Sequence, residues 1–190
     1  MRLLKVIEYV TLDGVIEDPG PAGDFKHRGW TVPYWNDEMA AAQSKELFAS
    51  DALLLGRVTY DEFVASWPLR SGDPFTDKMN SMKKFVATRD AAKRLEWNAT
   101  PLEGDAVEAV KRLKQEPGGD ILIYGSGALV RSLMPHSLID WYRFVTYPLV
   151  LGEGKRLFDG DTKAIELDLL GASTTQKGVT LLTYGRRESH

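Results

Sequence analysis

Asp120-Ile121-Leu122-Ile123-Tyr124 has strand character and runs without a spacer into Gly125-Ser126-Gly127. Leu129, Val130 and Leu133 then recur at helical spacing. A buried parallel strand that turns tightly into a helix commits this part of the chain to an α/β arrangement. The first amides of such a helix, and the positive end of its dipole, point into the turn and suit an anion. Glycine at 125 and 127 removes the Cβ where a phosphate or a neighbouring backbone must come close. A plain tight turn would use the same residues, so both readings stand for this stretch alone.

Two further units carry the pattern. Ala52-Leu53-Leu54-Leu55 is a short continuous apolar run, as expected of a strand covered on both faces, and it ends in Gly56-Arg57-Val58-Thr59. Tyr60, Phe63, Val64 and Trp67 continue it as a helical face. Lys84 to Thr88 forms another strand, closed by Thr88-Arg89-Asp90. Ahead of these, Leu3 to Tyr9 reads as a strand leaving through an Asp13-Gly14 turn, and Asn36 caps a helix from Asp37 to about Ser50. A helix through Ala106, Val107, Val110 and Leu113 is stopped by Pro117-Gly118-Gly119. From Ile139 to Val150, Ile165 to Gln176 and Val179 to Arg186 the chain reads as consecutive strands, the last two joined at Lys177-Gly178. The expectation is a single domain over residues 1–190, with a mixed sheet, parallel in its body and antiparallel at its C-terminal edge, flanked by helices.

With 190 residues and a net charge of −3, the chain gives no electrostatic reason to expect nucleic-acid or anionic-membrane partners. No apolar run approaches the ~18 residues of a membrane span, and charges interrupt Met1 to Glu8, so no signal peptide is read there. Cysteine is absent, which excludes disulfides and thiolate zinc sites and fits a cytoplasmic setting. His27, His136 and His190 are far apart and show no ligand spacing, so no metal is expected.

Ligands of open α/β sheets gather at the carboxyl ends of strands. Two helix N-termini, Arg57, Arg89 and the hydroxyls of Thr59, Thr88 and Ser126 could converge there, an inventory suited to a ligand with several phosphates. The loop from Glu17 to Pro33 is long enough to be functional. Trp30, with Tyr34 and Trp35 just beyond the loop, either shapes a substrate pocket or pins the loop to the core.

The chain resembles the dihydrofolate reductase-like fold, and within it small proteins similar to the C-terminal reductase domain of the bifunctional riboflavin-biosynthesis deaminase/reductase. The carriers are Leu12-Asp13-Gly14-Val15-Ile16, Leu54 to Tyr60, Val86-Ala87-Thr88-Arg89, Ile123 to Gly127, and Leu138 to Gly154. The resemblance implies NADPH as cofactor. Gly56, Arg57 and Thr59 would open a helix on its pyrophosphate, with Arg57 on the adenosine side. Thr88 and Arg89 would hold the adenine ribose and its 2′-phosphate, and Gly125, Ser126, Gly127 and Ala128 would underlie the pyrophosphate. The Asp13-Gly14 loop would border the nicotinamide. The acid that dihydrofolate reductases carry on their first helix falls near Ala40, where no acid stands, so folate reduction is not expected.

These readings imply an NADPH-dependent reductase of a small heterocyclic (pterin- or aminopyrimidine-like) or carbonyl compound, with Asp13 or water as proton source. Asp13 also fits a plain turn residue. The alternatives are a regulatory nucleotide-binding protein without turnover and a phosphate-ligand enzyme without redox chemistry. Trp141, Phe144, Val145, Tyr147, Leu149 and Val150 lie close together in sequence, and related reductase domains pair through this side, so a homodimer is expected.

Overall fold

The computed structural model describes residues 1–90, 94–160 and 164–187; His190 lies outside them. Among the described residues, one sheet holds β1 (Leu4–Thr11), β2 (Ser50–Gly56), β3 (Lys83–Ala87), β4 (Ala99–Pro101), β5 (Asp120–Tyr124), β6 (Trp141–Tyr147), β7 (Leu167–Thr174) and β8 (Thr180–Arg186). Their spatial order is β4-β3-β2-β5-β1-β6-β8-β7. The α-helices are α1 (Asp37–Ala49), α2 (Arg57–Ser66), α3 (Pro74–Ser81), α4 (Ala106–Gln115) and α5 (Gly127–Leu133).

The continuous apolar runs are explained by burial on both faces. Ala52 and Leu54 of β2 pack with Val110 and Leu113 of α4 and with Leu129 and Leu133 of α5. Leu53 and Leu55 pack on the other side with Met39 and Leu47 of α1, Tyr60 of α2 and Met79 of α3. With both faces covered, the interior positions Ala52 to Leu55 are all apolar. On the α1 face, Lys5 of β1 reaches Asp120 at 2.8 Å and Glu46 at 3.3 Å, and Arg143 of β6 meets Glu46 at 3.4 Å. These ions tie α1 to three neighbouring strands and set its height over the sheet.

The sheet is mixed, as expected, but only β8 runs against the rest. β6 pairs parallel with β1 from Lys5↔Trp141 to Thr11↔Tyr147, and β8 is antiparallel to both β6 and β7. The strand expected over Ile139 to Val150 is confined to Trp141–Tyr147. Pro148 follows directly and cannot donate to a ladder. Val145 and Tyr147 are core residues, and Trp141, Phe144 and Leu149 pack against the two cores of their own chain. Only Val150 of the group expected at a dimer contact is largely exposed. Leu169 and Leu170 on the edge strand β7 are among the apolar side chains left exposed.

Candidate active site

The carboxyl ends of β1, β2, β3 and β5 open onto one cleft of ≈ 2300 Å³. Small-ligand pockets span about 300–1,000 Å³, so this volume has room for two ligands side by side. β5 fills the slot between β1 and β2, and connections leave in both directions from this point, the position where open α/β sheets bind ligands.

The turns after β2 and β5 are tied to each other. Gly125 has φ +52° and Ser126 φ +61°, both left-handed. Ser126 holds this conformation because its hydroxyl donates to Tyr124 C=O at 3.0 Å and accepts the Gly56 N–H at 2.9 Å. Its own N–H donates to Thr59 Oγ1 at 3.1 Å. Thus α2 and α5 begin side by side. The first amides of α1, α3 and α4 are capped by Asn36, Asp73 and Asp105, whereas neither α2 nor α5 has a side-chain cap. Their unpaired donors and dipoles leave the shared mouth electropositive.

The positions expected to hold a cofactor, Gly56, Arg57, Thr59, Thr88, Arg89, Gly125, Ser126, Gly127 and Ala128, all line this cleft. Arg57 is engaged through Nε with both Asp61 oxygens, at 2.7 and 2.9 Å. Arg89 is exposed and makes no hydrogen bond or ion pair among the described residues. Gly127 also has a protein neighbour close by. A Cβ there would meet the end of the Ile16 side chain, which would have to shift to make room.

Asp13, expected as a proton donor, is not among the residues lining the cleft. Its carboxylate accepts from the Thr11 hydroxyl at 2.6 Å and from the amides of Leu151 and Gly152 at 3.2 and 2.9 Å, with Arg156 at 3.5 Å. The Thr11 hydrogen bond foremost, then those amides, hold it down at about 2. It is ionised at neutral pH and ties the β1 exit to the loop after β6. Among the aromatics, Trp30 is buried, its ring edge-on to Tyr147 with centroids 5.1 Å apart and its N–H on Glu17 C=O. Tyr34 packs on Tyr147 as well, at 5.4 Å. These two pin the loop to the core and do not line the cleft; Trp35, half exposed, does.

The α1 wall of the cleft is Ala40, Gln43 and Ser44, so the position that lacks an acid does face the cavity. Asp37 is exposed, and Glu38 accepts from Asn36 Nδ2 and the Gln176 amide. Three other polar groups line the cleft without having been anticipated. Glu8, on β1, and Tyr124, at the end of β5, each hold a buried oxygen without a partner. Burial pushes the Glu8 carboxyl up to about 8, against the opposing pull of Arg131, and burial likewise raises the Tyr124 hydroxyl. Glu62 of α2 is partly buried, and its carboxyl is raised by burial and by Asp18, Asp61 and Glu17, with Lys155 opposing. Thr59, Glu62 and Ser66 share one helical stripe at i, i+3, i+7, the signal that could have found it.

A mixed sheet with two coupled strand–turn–helix units beside one large cleft defines an α/β protein of the dihydrofolate reductase-like fold. The chain belongs to the RibD C-terminal domain family, whose model matches residues 4–181. It is 32% identical over 180 residues to Bacillus subtilis (strain 168) YyaP, an uncharacterized protein, covering 92% of this chain and 90% of that one. Its fold is similar to that of a diaminohydroxyphosphoribosylaminopyrimidine deaminase/5-amino-6-(5-phosphoribosylamino)uracil reductase from Thermotoga maritima, at TM-score 0.67 and 15% identity over 98% of this chain and 57% of that one. It is similar also to dihydrofolate reductase from Enterococcus faecalis complexed with NADP(H), at TM-score 0.64 and 16% identity over 98% and 97%.

Proposed function

We propose that the chain is an NADPH-dependent reductase of a small heterocyclic or carbonyl compound. The observation that carries this reading is the pair of uncapped helix N-termini, held side by side by Ser126 and Thr59, over a cleft with space for a second ligand. The residues present fit a dinucleotide. The amides at the start of α2 and the glycine turn would take the pyrophosphate, Thr59 keeps its hydroxyl proton free to donate, and Arg89, whose guanidinium has no partner among the described residues, would meet a 2′-phosphate. The cofactor, when bound, supplies the hydride.

The chain's own part is to orient two ligands and exclude water, which brings a bimolecular step within reach. Asp13 keeps its charge and holds the loop at the cleft edge. Solvent is left as the proton source in this reading. Homologous structures named for reduction of an aminouracil and for dihydrofolate reductase support a ring substrate of that kind. A homodimer forms part of the same proposal, with Leu169 and Leu170 on the open β7 edge as its apolar contact.

The test is NADPH oxidation over a panel of pterins, aminopyrimidines, quinones and dicarbonyls, with NADPH binding measured separately. Turnover of at least one member supports the reductase. Tight NADPH binding with no turnover across the panel favours the regulatory nucleotide-binding alternative. Preference for simple nucleotides over NADPH tells against both.

A further inference from the structure

From α1 the cleft receives only Ala40 and the neutral Gln43 and Ser44, yet α2 brings to the same cleft the carboxyl of Glu62. Glu62 projects from α2 on the stripe that begins at Thr59, so it stands one helical turn from the coupled turns. The nearby carboxylates are occupied: Glu17 binds Lys155 through side chain and amide, and Asp18 accepts the Phe25 N–H. Glu62 makes no side-chain hydrogen bond and no ion pair among the described residues. Glu62 is thus a partly buried carboxyl at the cleft that no protein donor occupies, open to donors from a ligand.

We propose that Glu62 is the specificity-determining carboxylate of the substrate end, receiving an N–H donor pair or protonated ring nitrogen in place of the acid absent from α1. This rests on the reductase reading of the cleft. The chemistry selects a planar ring with an amidine-like edge, because a carboxylate offers only acceptors and repels a ring edge made of carbonyls. Its neighbours sharpen the selection. Asp18, Asp61 and Glu17 add negative charge on this side, and Lys155, the cation acting on Glu62, is already held by Glu17.

Two probes of the same size decide it. 2,4-Diaminopyrimidine presents N–H donors where uracil presents carbonyls. Calorimetry of each is run with the wild-type chain and with E62Q, both free and saturated with NADPH, and circular dichroism confirms that E62Q is folded. The expected result is a preference of about tenfold or more for 2,4-diaminopyrimidine in the wild type, lost in E62Q, where the amide offers a donor of its own. No preference in the wild type, or a preference that E62Q retains, overturns the assignment. Failure of the wild type to bind NADPH bears instead on the reductase reading, since the probe titrations of the free chain are independent of it.

Discussion

The Gly56 amide donates to the Ser126 hydroxyl at 2.9 Å across 70 positions of sequence. With the return bond from Ser126 N–H to Thr59, it sets the spacing of the two helix N-termini that face the cleft. Ser126→Ala leaves a part-buried Gly56 N–H without its partner and frees Tyr124 C=O. The expected loss is about 1–3 kcal/mol of stability, measured by urea denaturation, together with weaker NADPH binding by calorimetry. Unchanged NADPH affinity would mean that the spacing of the turns does not matter to the ligand.

Arg89 bears on cofactor choice. A charge-assisted contact from its guanidinium to a 2′-phosphate contributes about 1.5–3 kcal/mol, so NADPH should bind roughly 10- to 100-fold more tightly than NADH. Arg89→Ala should bring the two affinities together by weakening NADPH alone, as read by calorimetry with both nucleotides. Equal weakening of both would place Arg89 elsewhere on the ligand.

Glu8 makes stability depend on pH. Its carboxyl titrates at about 8 in the folded chain against 4.5 ordinarily. Between those values the folded state binds more protons than the unfolded state, so stability falls as pH rises through that window, by up to about 1.4 kcal/mol per unit. Glu8→Gln cannot ionise. It should match the wild type below pH about 4.5 and become progressively more stable than it up to pH about 8. Urea midpoints of both proteins across this range provide the check, and parallel curves would count against the shift.

Asp13 has the opposite sign. Its value is lowered from 3.8 to about 2, so the unfolded chain takes up the proton first. The stabilisation is present above pH about 4 and is lost as pH falls toward 2. Asp13→Asn should lower the thermal midpoint at pH 7, and the gap to wild type should close in acid. If the variant abolishes turnover while keeping full thermal stability, the loop-tying role is wrong.

Much of the sheet was legible because a strand buried on both faces has a sequence signature, and Leu53-Leu54-Leu55 and Ile121-Leu122-Ile123 both carry it. The turns after them were legible for the same reason, since a glycine or hydroxyl must follow where the chain reverses tightly. α3 was not: only Phe75 and Met79 mark its apolar side, and the remaining residues are polar or Pro74. β4 is three residues long and ends in Pro101, below the length at which alternation can be read. The Lys177-Gly178 turn implies that β7 and β8 pair, but does not say which of them lies against β6; packing decides for β8. Trp30 was ambiguous because an aromatic ring suits a core and a pocket equally, and Tyr147, far along the chain, resolves it. Glu62 escaped notice because the acid of related enzymes is sought on the first helix, while the cavity is shared with the second.

The position of β5 has a further consequence, for the order in which the molecule can assemble. β1 and β2 are made early but never touch as neighbours, because the slot between them belongs to a strand that follows two more strands and three more helices along the chain. Until Tyr124 is in place, β1 and β2 each present a bare hydrogen-bonding edge toward the empty slot. Pairings between segments so distant in sequence form slowly and leave partly folded chains open to association. The cleft is accordingly a late product of folding. A chain released before Asp120 has neither the central strand nor the Gly125 turn, and it offers other chains the bare edges of β1 and β2 to which they can attach.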